Sequence, residues 1–171
     1  MTCKAEVRKI PLIRTITDSL QCIYINRGGT KEERAAIIEE IIRRQKAIEV
    51  DNESYPPVAM FVESTTTNGT HFLPFKRGAF AGMRTVTPSF IKSSHGQVNP
   101  TYDSISMFPF VFLLMSSFSI GFATTNIMPE FTPTPWMLEN HADKGKDPWQ
   151  IFAWCVRDAM SKRSGILKLE E

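Results

Sequence analysis

Apolar positions recur with a helical period in two stretches of the chain. Between residues 31 and 49, five isoleucines fall on one helical face and charged side chains fall on the other. Thr30 opens a T-x-x-E capping box, so this helix is predicted to begin just after it. A second helix is predicted over residues 147–162, with Asp147 as N-cap, a proline at the first helical position and Gly165 as the stop. Its buried stripe is predicted to consist of Ile151, Phe152, Cys155, Val156 and Met160.

Three further stretches have the composition of β-strands. Residues 21–26 are rich in β-branched and aromatic side chains, and residues 58–62 form a continuous apolar run of the kind buried on both faces of a sheet. Residues 85–91 also predict a strand, which Pro88 places at an edge or an end. Strand, helix and strand in succession predict a β-α-β unit with a right-handed crossover.

These elements predict an α/β fold, a mixed-sheet αβ sandwich in one domain that spans residues 1–171. The length favours one domain, because 171 residues can bury a sizeable core but would be cramped as two. The segment that begins at Ile10 and Pro11 is expected to start extended or turn-like. Lys+Arg 20 against Asp+Glu 18 gives a net charge of +2, which is too small to indicate a nucleic-acid-binding protein.

Residues 104–129 carry no charged side chain, and a very apolar stretch with helical spacing lies within residues 107–122. A membrane-spanning helix needs about 20 mainly apolar residues. Pro109, three serines and Gly121 interrupt residues 107–122 and two threonines follow them, so this stretch is a weak candidate for a span. Two interpretations remain open: a helix buried in the core, or an interfacial helix that touches a membrane.

The cysteines and histidines add little chemistry. Three cysteines are too few, and odd in number, for a disulfide framework, which favours a reducing compartment. The amino-terminal residues have no apolar region of the kind that a secretory signal needs. His71, His95 and His141 lie in no pattern with the spacing of zinc ligands, so no metal site is predicted.

One polar tract has the features of an anion site. The predicted strand 58–62 ends at Glu63, four hydroxyl side chains follow it, and Lys76 and Arg77 come after a short apolar segment. Ligands commonly bind at the carboxyl ends of strands in α/β sheets, and turn amides with nearby cations can hold a phosphate. An ordinary hydroxyl-rich turn also explains these residues and is the more economical interpretation of the residues alone.

The same tract resembles the glycerolipid acyltransferases, in particular the lysophosphatidylcholine acyltransferase branch. Residues 61–69, FVESTTTNG, are similar to the family's F-P-E-G-T-x-[ST]-N block, and residues 73–80, LPFKRGAF, are similar to its F-K-x-G-A-F segment. Other matches follow the family's order along nearly the whole chain. They are residues 4–12 before the second block, residues 23–27 (IYINR) as the second block, residues 85–88 as the fourth, and residues 147–165 as the closing helix.

The resemblance implies acyl transfer from acyl-CoA, a co-substrate rather than a bound cofactor, to the hydroxyl group of a lysophospholipid. It assigns binding of the substrate phosphate to Arg27, Glu63, Ser64 and Thr65, with Lys76 as a further contact. It also implies a membrane surface and partner protein chains, no nucleic acid, and an intracellular location at the endoplasmic reticulum or the mitochondrial inner membrane. We expect Arg27 and Glu63 to point into one shared cleft.

The sequence departs from the family pattern at several positions. The family's general base is a histidine in an H-x-x-x-x-D block, whose aspartate orients it. Here the residues five positions after His71, His95 and His141 are lysine, proline and lysine, so the block is absent and no catalytic residue is assigned. Val62 and Ser64 stand where block three has proline and glycine. A Cβ at the glycine position reduces the space in which a ligand can approach the backbone.

Three hypotheses follow. The chain is an N-terminally incomplete acyltransferase domain whose first block is supplied elsewhere, or it is a degenerate structural or lipid-binding subunit of a larger membrane complex, or it is an unrelated soluble domain. The order of the matched blocks disfavours the third. The altered block three and the missing base favour loss of activity for this chain alone. A domain of this kind leaves an exposed sheet edge and apolar surface, so a partner chain or a membrane is expected, with residues 107–122 as the contact.

Overall fold

The core is built around a C-terminal helix, α5 (Pro148–Ser164). The protein is represented by a computed structural model that describes residues 2–26, 28–51, 53–65, 69–94, 106–116 and 122–169. The five apolar side chains predicted for the stripe of α5 are all buried. Phe152 is 0% exposed; its ring meets Phe80 edge-on at 5.3 Å between centroids and stacks on Phe131 at 6.1 Å. The predicted helix and its buried face are confirmed.

The ends of α5 follow the chemistry of its sequence. The Gln150 side chain accepts a hydrogen bond of 3.0 Å from the backbone N–H of Asp147, which completes a capping box. Gly165 ends the helix with a φ of 71°, a left-handed conformation that glycine adopts without steric cost. The capping box at Asp147 and the left-handed Gly165 therefore set the two ends of this helix by local interactions alone.

The other confirmed helix is α2 (Lys31–Glu49). The hydroxyl group of Thr30 accepts a hydrogen bond of 3.3 Å from the backbone N–H of Glu33, as the capping box predicts. Ile41 lies at the centre of its apolar face and is almost fully buried. The charged face is held by surface pairs, including Arg43 with Glu40 at 2.7 Å.

The amino-terminal segment differs from the expectation. A strand, β1 (Thr2–Lys4), and a 3₁₀ turn (Ala5–Lys9) precede a helix, α1 (Pro11–Ser19). Ile10 is extended, with a φ of −96° and a ψ of 111°, as expected for a residue that precedes proline. The helix after it was not predicted, and Pro11 occupies its first turn, where the missing N–H of proline costs nothing. The predicted strand at 21–26 is confirmed as β2 (Ile23–Ile25), which pairs in parallel with β1.

The strand predicted at residues 58–62 is absent, and so is the β-α-β crossover that needed it. Val58, Met60 and Val62 are half-buried, whereas Phe61 is 75% exposed. The apolar run is therefore covered on one side only. A hydrogen bond of 3.0 Å from the Thr2 N–H to the Ala59 carbonyl joins the run to β1. The prediction failed because β1, not this run, is the parallel neighbour of β2.

The remaining strands form two more pairs. The short strand β3 (His71–Phe72) runs parallel to β6 (Leu167–Lys168), and β4 (Ser89–Ser94) runs antiparallel to β5 (Phe122–Ile127). The strand predicted at 85–91 thus begins only after Pro88, as that proline suggests. Helices combined with parallel and antiparallel pairs confirm the α/β class, although the described strands form three two-stranded sheets rather than one mixed sheet.

The uncharged stretch contains a helix, α3 (Met107–Ser116), followed by β5; residues 117–121 lie outside the described residues. Phe108 is 90% exposed and Phe112 is 72% exposed, so the interpretation of α3 as a core helix is wrong. The one residue of α3 that is buried among those described is Phe110. Across the described ranges, no helix is both long and apolar enough to cross a membrane.

Candidate functional site

Two matched segments of the sequence are bonded to each other in the fold. We define the block-three junction as residues 61–65 together with residues 73–76. The backbone N–H of Leu73 donates to Oε1 of Glu63 at 2.8 Å, and the backbone N–H of Lys76 donates to the carbonyl of Val62 at 2.9 Å. A side chain and a backbone group therefore clamp the F-K-x-G-A-F-like segment against the end of the apolar run.

The turn itself is tight at Ser64. Its N–H donates to the carbonyl of Phe61 at 3.3 Å, and its φ is 60°, in the left-handed region. A side chain in this conformation costs about 1–2 kcal/mol, because Cβ crowds the following carbonyl. The matching family position is glycine, which has no such cost. The conformation thus accounts for glycine in the family pattern, and the serine here occupies it under strain.

The carboxyl group of Glu63 is half-buried, and this burial shifts its pKa. Burial removes water from the charged form and raises the pKa of Glu63, while the hydrogen bond from the Leu73 N–H opposes part of that rise. Either form of the carboxyl group can accept the Leu73 hydrogen bond. The geometry therefore assigns Glu63 a structural contact, which fixes the turn that carries Ser64 and Thr65.

The segment after Lys76 is anchored to the helices. A 3₁₀ turn (Arg77–Ala79) brings Gly78 so close to Met60 that a Cβ at Gly78 would lie 2.9 Å from the methionine sulfur. The side chain of Gln45, on α2, donates to the carbonyl of Ala79 at 3.0 Å. The turn then leads into Phe80 in the core, so the junction rests on the same packing as α5.

Two exposed cations, Lys76 and Arg77, lie at the end of this junction. Lys76 and Arg77 both lie at the surface, and neither forms an ion pair within the described ranges. The exposed hydroxyl of Thr65 and the half-buried Ser64 lie on the neighbouring turn. Ammonium, guanidinium and hydroxyl donors at a tight turn are the groups that bind phosphate oxygens.

Four of the five residues predicted for the site can be placed. Glu63, Ser64 and Thr65 share one turn, and the backbone bond to Val62 brings Lys76 beside it. Arg27 lies outside the described residues, as do residues 66–68. The expectation that Arg27 and Glu63 share a cleft therefore stays a prediction.

Hydrogen bonds also fix the backbone at Gly28 and Gly29, which follow β2 and lead to α2. The Gly28 N–H donates to Oδ1 of Asn26 at 3.2 Å, and Nε of Arg34 donates to the carbonyl of Gly29 at 3.1 Å. A Cβ at Gly29 would lie 2.2 Å from a carboxylate oxygen of Glu33 and 3.2 Å from the Asn26 carbonyl, so the Glu33 side chain would have to move to accommodate it. The second matched block thus leads directly into the capped start of α2.

Some contacts of the site have no signal in the sequence. Leu73 contributes a backbone N–H, which every residue type except proline has, and Gln45 lies far away along the chain. Gly78 was visible only as part of the matched segment, and its close contact with Met60 depends on the tertiary structure.

Comparison with known proteins decides the family. A family model described as Acyltransferase matches residues 1–112, which is more than half of the chain. The chain belongs to the acyltransferase family. The matched range includes both segments of the block-three junction and the two ordered turns that follow β2 and Lys76.

Curated relatives extend the similarity over nearly the whole chain. Lysophospholipid acyltransferase LPEAT1 of Arabidopsis thaliana is 26% identical over 167 residues, which cover 98% of this acyltransferase-family chain and 39% of the relative. Lysophosphatidylcholine acyltransferase 1 of Danio rerio is 27% identical, over 95% of this chain and 29% of the relative. Lysophosphatidylcholine acyltransferase 2 of Homo sapiens is 28% identical, over 97% and 28%. The chain thus spans well under half the length of these relatives, and no solved structure matches it.

Proposed function

We propose that the protein acts in the transfer of an acyl group from acyl-CoA to a lysophospholipid, and that this chain supplies the part of the site that binds the acceptor's phosphate. The observation that carries the proposal is the bonded block-three junction inside a sequence that belongs to the acyltransferase family. The relatives' names, which specify lysophospholipids and lysophosphatidylcholine, support the substrate class.

In this reaction the acceptor's hydroxyl oxygen forms an ester bond with the thioester carbonyl carbon, and the carbon–sulfur bond breaks. The hydroxyl proton passes to a general base, and coenzyme A leaves as the thiol after it gains a proton. We propose that Lys76 and Arg27, with the hydroxyls of Ser64 and Thr65, hold the phosphate. Glu63 is proposed to contribute by keeping the turn in place through Leu73.

The sequence contains no histidine followed five residues later by aspartate, so the proposal assigns no base to this chain. A positioned general base typically contributes about 10²–10⁴-fold to a rate. We therefore expect the purified chain to bind lysophospholipid without measurable acyl transfer. A lipid-binding subunit without catalysis, which is the alternative function, would behave in the same way. The two functions differ when a polypeptide with the H-x-x-x-x-D block is added, because only an incomplete acyltransferase domain would then catalyse acyl transfer.

The experiment pairs two measurements on the same protein. Binding of lysophosphatidylcholine and lysophosphatidylethanolamine is followed by calorimetry below the critical micelle concentration, and transfer is followed with radiolabelled acyl-CoA. Lys76→Gln should weaken binding several-fold, whereas Lys46→Gln, an exposed lysine on α2, should not. Equal binding by both variants would contradict the assignment of Lys76. Transfer by the unmodified chain would contradict the proposed absence of a base.

We further propose that α3 and β5 contact a membrane surface. Exposed Phe108, Phe112 and Met115 on α3 and Phe122 and Ile127 on β5 supply uncharged apolar area. Apolar side chains of this kind insert into the boundary between head groups and acyl chains. A protein that acts on lysophospholipids meets its substrate at that boundary, and the location at the endoplasmic reticulum or the mitochondrial inner membrane stays a prediction.

A further inference from the structure

A second concave site lies away from the block-three junction, between α4 (Pro135–Asn140), α5 and residues 131–134. Its volume is about 410 Å³, within the range of pockets that hold small molecules. Apolar lining comes from Phe131, Met137 and Ala159, and polar lining from Thr132, Thr134 and Asp158. Phe131 stacks on Phe152, so the pocket rests on the central ring of the core.

Three aromatic rings line this pocket next to one another. His141 lies between two tryptophans, with ring centroids 6.4 Å from Trp136 and 5.5 Å from Trp154. The Trp136 and His141 rings are almost perpendicular, at 88°. Trp136 is 68% exposed although it is the largest apolar side chain on α4. An exposed indole beside a pocket provides a stacking surface for a flat ring.

The charges around these rings are mostly positive. Asp158 lines the pocket and is bonded by two lysines, Lys162 at 2.7 Å and Lys168. The ammonium groups of Lys144 and Lys168 lie over the Trp154 ring, at 5.4 and 4.6 Å from its centroid. Lys144 also pairs with Asp143, so three ammonium groups face two carboxylates.

This charge pattern separates two classes of ligand. Aromatic cages bind cationic ligands such as quaternary ammonium groups, but here lysine ammonium groups already lie over Trp154. A further cation would meet like charges, whereas an anionic group would be attracted to the excess ammonium. The exposed head of Lys162, whose side chain is 78% accessible, can turn toward such a group.

We propose that the pocket binds a phosphorylated nucleoside, with the base stacked against Trp136 and the phosphate near Lys162. This chemistry has two sources. One is the nucleotide end of the coenzyme A donor, a version that rests on the proposed function; the other is a free nucleotide that occupies the pocket independently of acyl transfer.

The test measures binding by calorimetry, with adenosine 3′,5′-bisphosphate, adenosine and inorganic phosphate as probes. The bisphosphate should bind, and adenosine should bind more weakly. Inorganic phosphate should not displace the bisphosphate. Trp136→Ala should raise the Kd for the bisphosphate about five-fold or more, because base stacking on an aromatic side chain contributes about 1–3 kcal/mol. Lys162→Gln should raise it several-fold and reduce its salt dependence. Leu12→Ala and Lys46→Gln, both exposed on other helices, are the matched controls.

Two further probes separate the sources. Coenzyme A that binds as tightly as the bisphosphate and depends on Trp136 supports the donor version, and ATP that does so while coenzyme A does not supports a free nucleotide. No binding by any nucleotide, a Kd unaffected by Trp136→Ala, or equal affinity for adenosine and the bisphosphate overturns the proposal. Lysophospholipid binding is measured on the same samples. Nucleotide binding without lysophospholipid binding would contradict only the proposed function. Lysophospholipid binding without nucleotide binding would contradict only the inference about this pocket.

Discussion

α5 and α3 both carry large apolar side chains, yet those of α5 are mostly buried and those of α3 are mostly exposed. α5 buries eight of its residues, while α3 leaves Phe108, Phe112 and Met115 mostly exposed. The difference lies in the charges. The exposed Lys162 and Arg163 mark the outer face of α5 near its end, whereas α3 contains no charged side chain. A helix that is apolar on every side can be recognised in the sequence, but the sequence does not say what covers it.

The largest expected effect tests the buried helix. Phe152→Ala should lower the free energy of unfolding by about 3–5 kcal/mol, because it removes a fully buried ring between Phe80 and Phe131. Urea denaturation followed by circular dichroism measures the change. Phe112→Ala on α3 is the control and should change the free energy of unfolding by less than about 0.5 kcal/mol. Similar losses from both variants would mean that α3 packs against the core after all.

The second effect tests the exposed helix. Replacing Phe108 and Phe112 together by serine should weaken binding to phosphatidylcholine vesicles by about 2 kcal/mol, roughly thirty-fold, because two rings no longer leave water. Thermal stability should hardly change, since both rings are exposed in the fold. Sedimentation with vesicles gives the partition coefficient. The paired control is Ile13→Ser with Ile16→Ser on α1, which also exposes apolar side chains. Unchanged partitioning of the α3 variant would contradict the proposed membrane contact.

A third variant asks whether the block-three junction belongs to the cooperative unit of α5. Glu63→Ala should lower the free energy of unfolding by about 1–3 kcal/mol, because the backbone N–H of Leu73 loses its acceptor. Glu63→Gln keeps an oxygen acceptor and is the matched control. One transition, shifted as a whole, would show that the junction and α5 unfold together; two separate transitions would show that they do not.

The pH dependence of Glu63 follows from its raised pKa. The protonated form is favoured in the fold, so its contribution to stability is complete below the ordinary value near 4.5 and is lost as the pH rises through the higher folded pKa. Glu63→Gln should remove this decline and leave a protein at least as stable at pH 7. Thermal denaturation from pH 4 to pH 7 measures it. A steeper decline in the variant would contradict burial as the cause.

The smallest effect concerns the strained turn. Ser64→Gly should raise the free energy of unfolding by up to about 1 kcal/mol, because glycine adopts a φ of 60° without the steric cost of a Cβ. Its greater freedom in the unfolded chain offsets part of the gain. Ser89→Gly, in β4, has no positive φ to relieve and should destabilise. A loss of stability in Ser64→Gly would mean that the serine hydroxyl makes a contact worth more than the strain.

The resemblance to the family could be recognised because the blocks are local. Glu63, Ser64, Thr65 and Lys76 were identified together from two short segments, and the fold brings these segments into direct contact. The apolar run before them was misassigned as a doubly buried strand, since an uninterrupted run does not tell whether one face or both are covered. The pocket around Trp136, His141 and Trp154 was not anticipated, because its residues come from different elements.

The sequence by itself determined α2 and α5, with their caps at Thr30, Asp147 and Gly165, because periodicity and capping act over a few neighbouring residues. It also indicated the family, through short blocks that follow the family's order along the chain, and the family model confirms that assignment. Only the tertiary structure decided that β1 pairs with β2, that Leu73 bonds Glu63, and that α3 stays exposed. Each of these features depends on which segments, distant along the chain, pack against each other. A local sequence pattern does not determine that choice, because several segments can compete for the same partner.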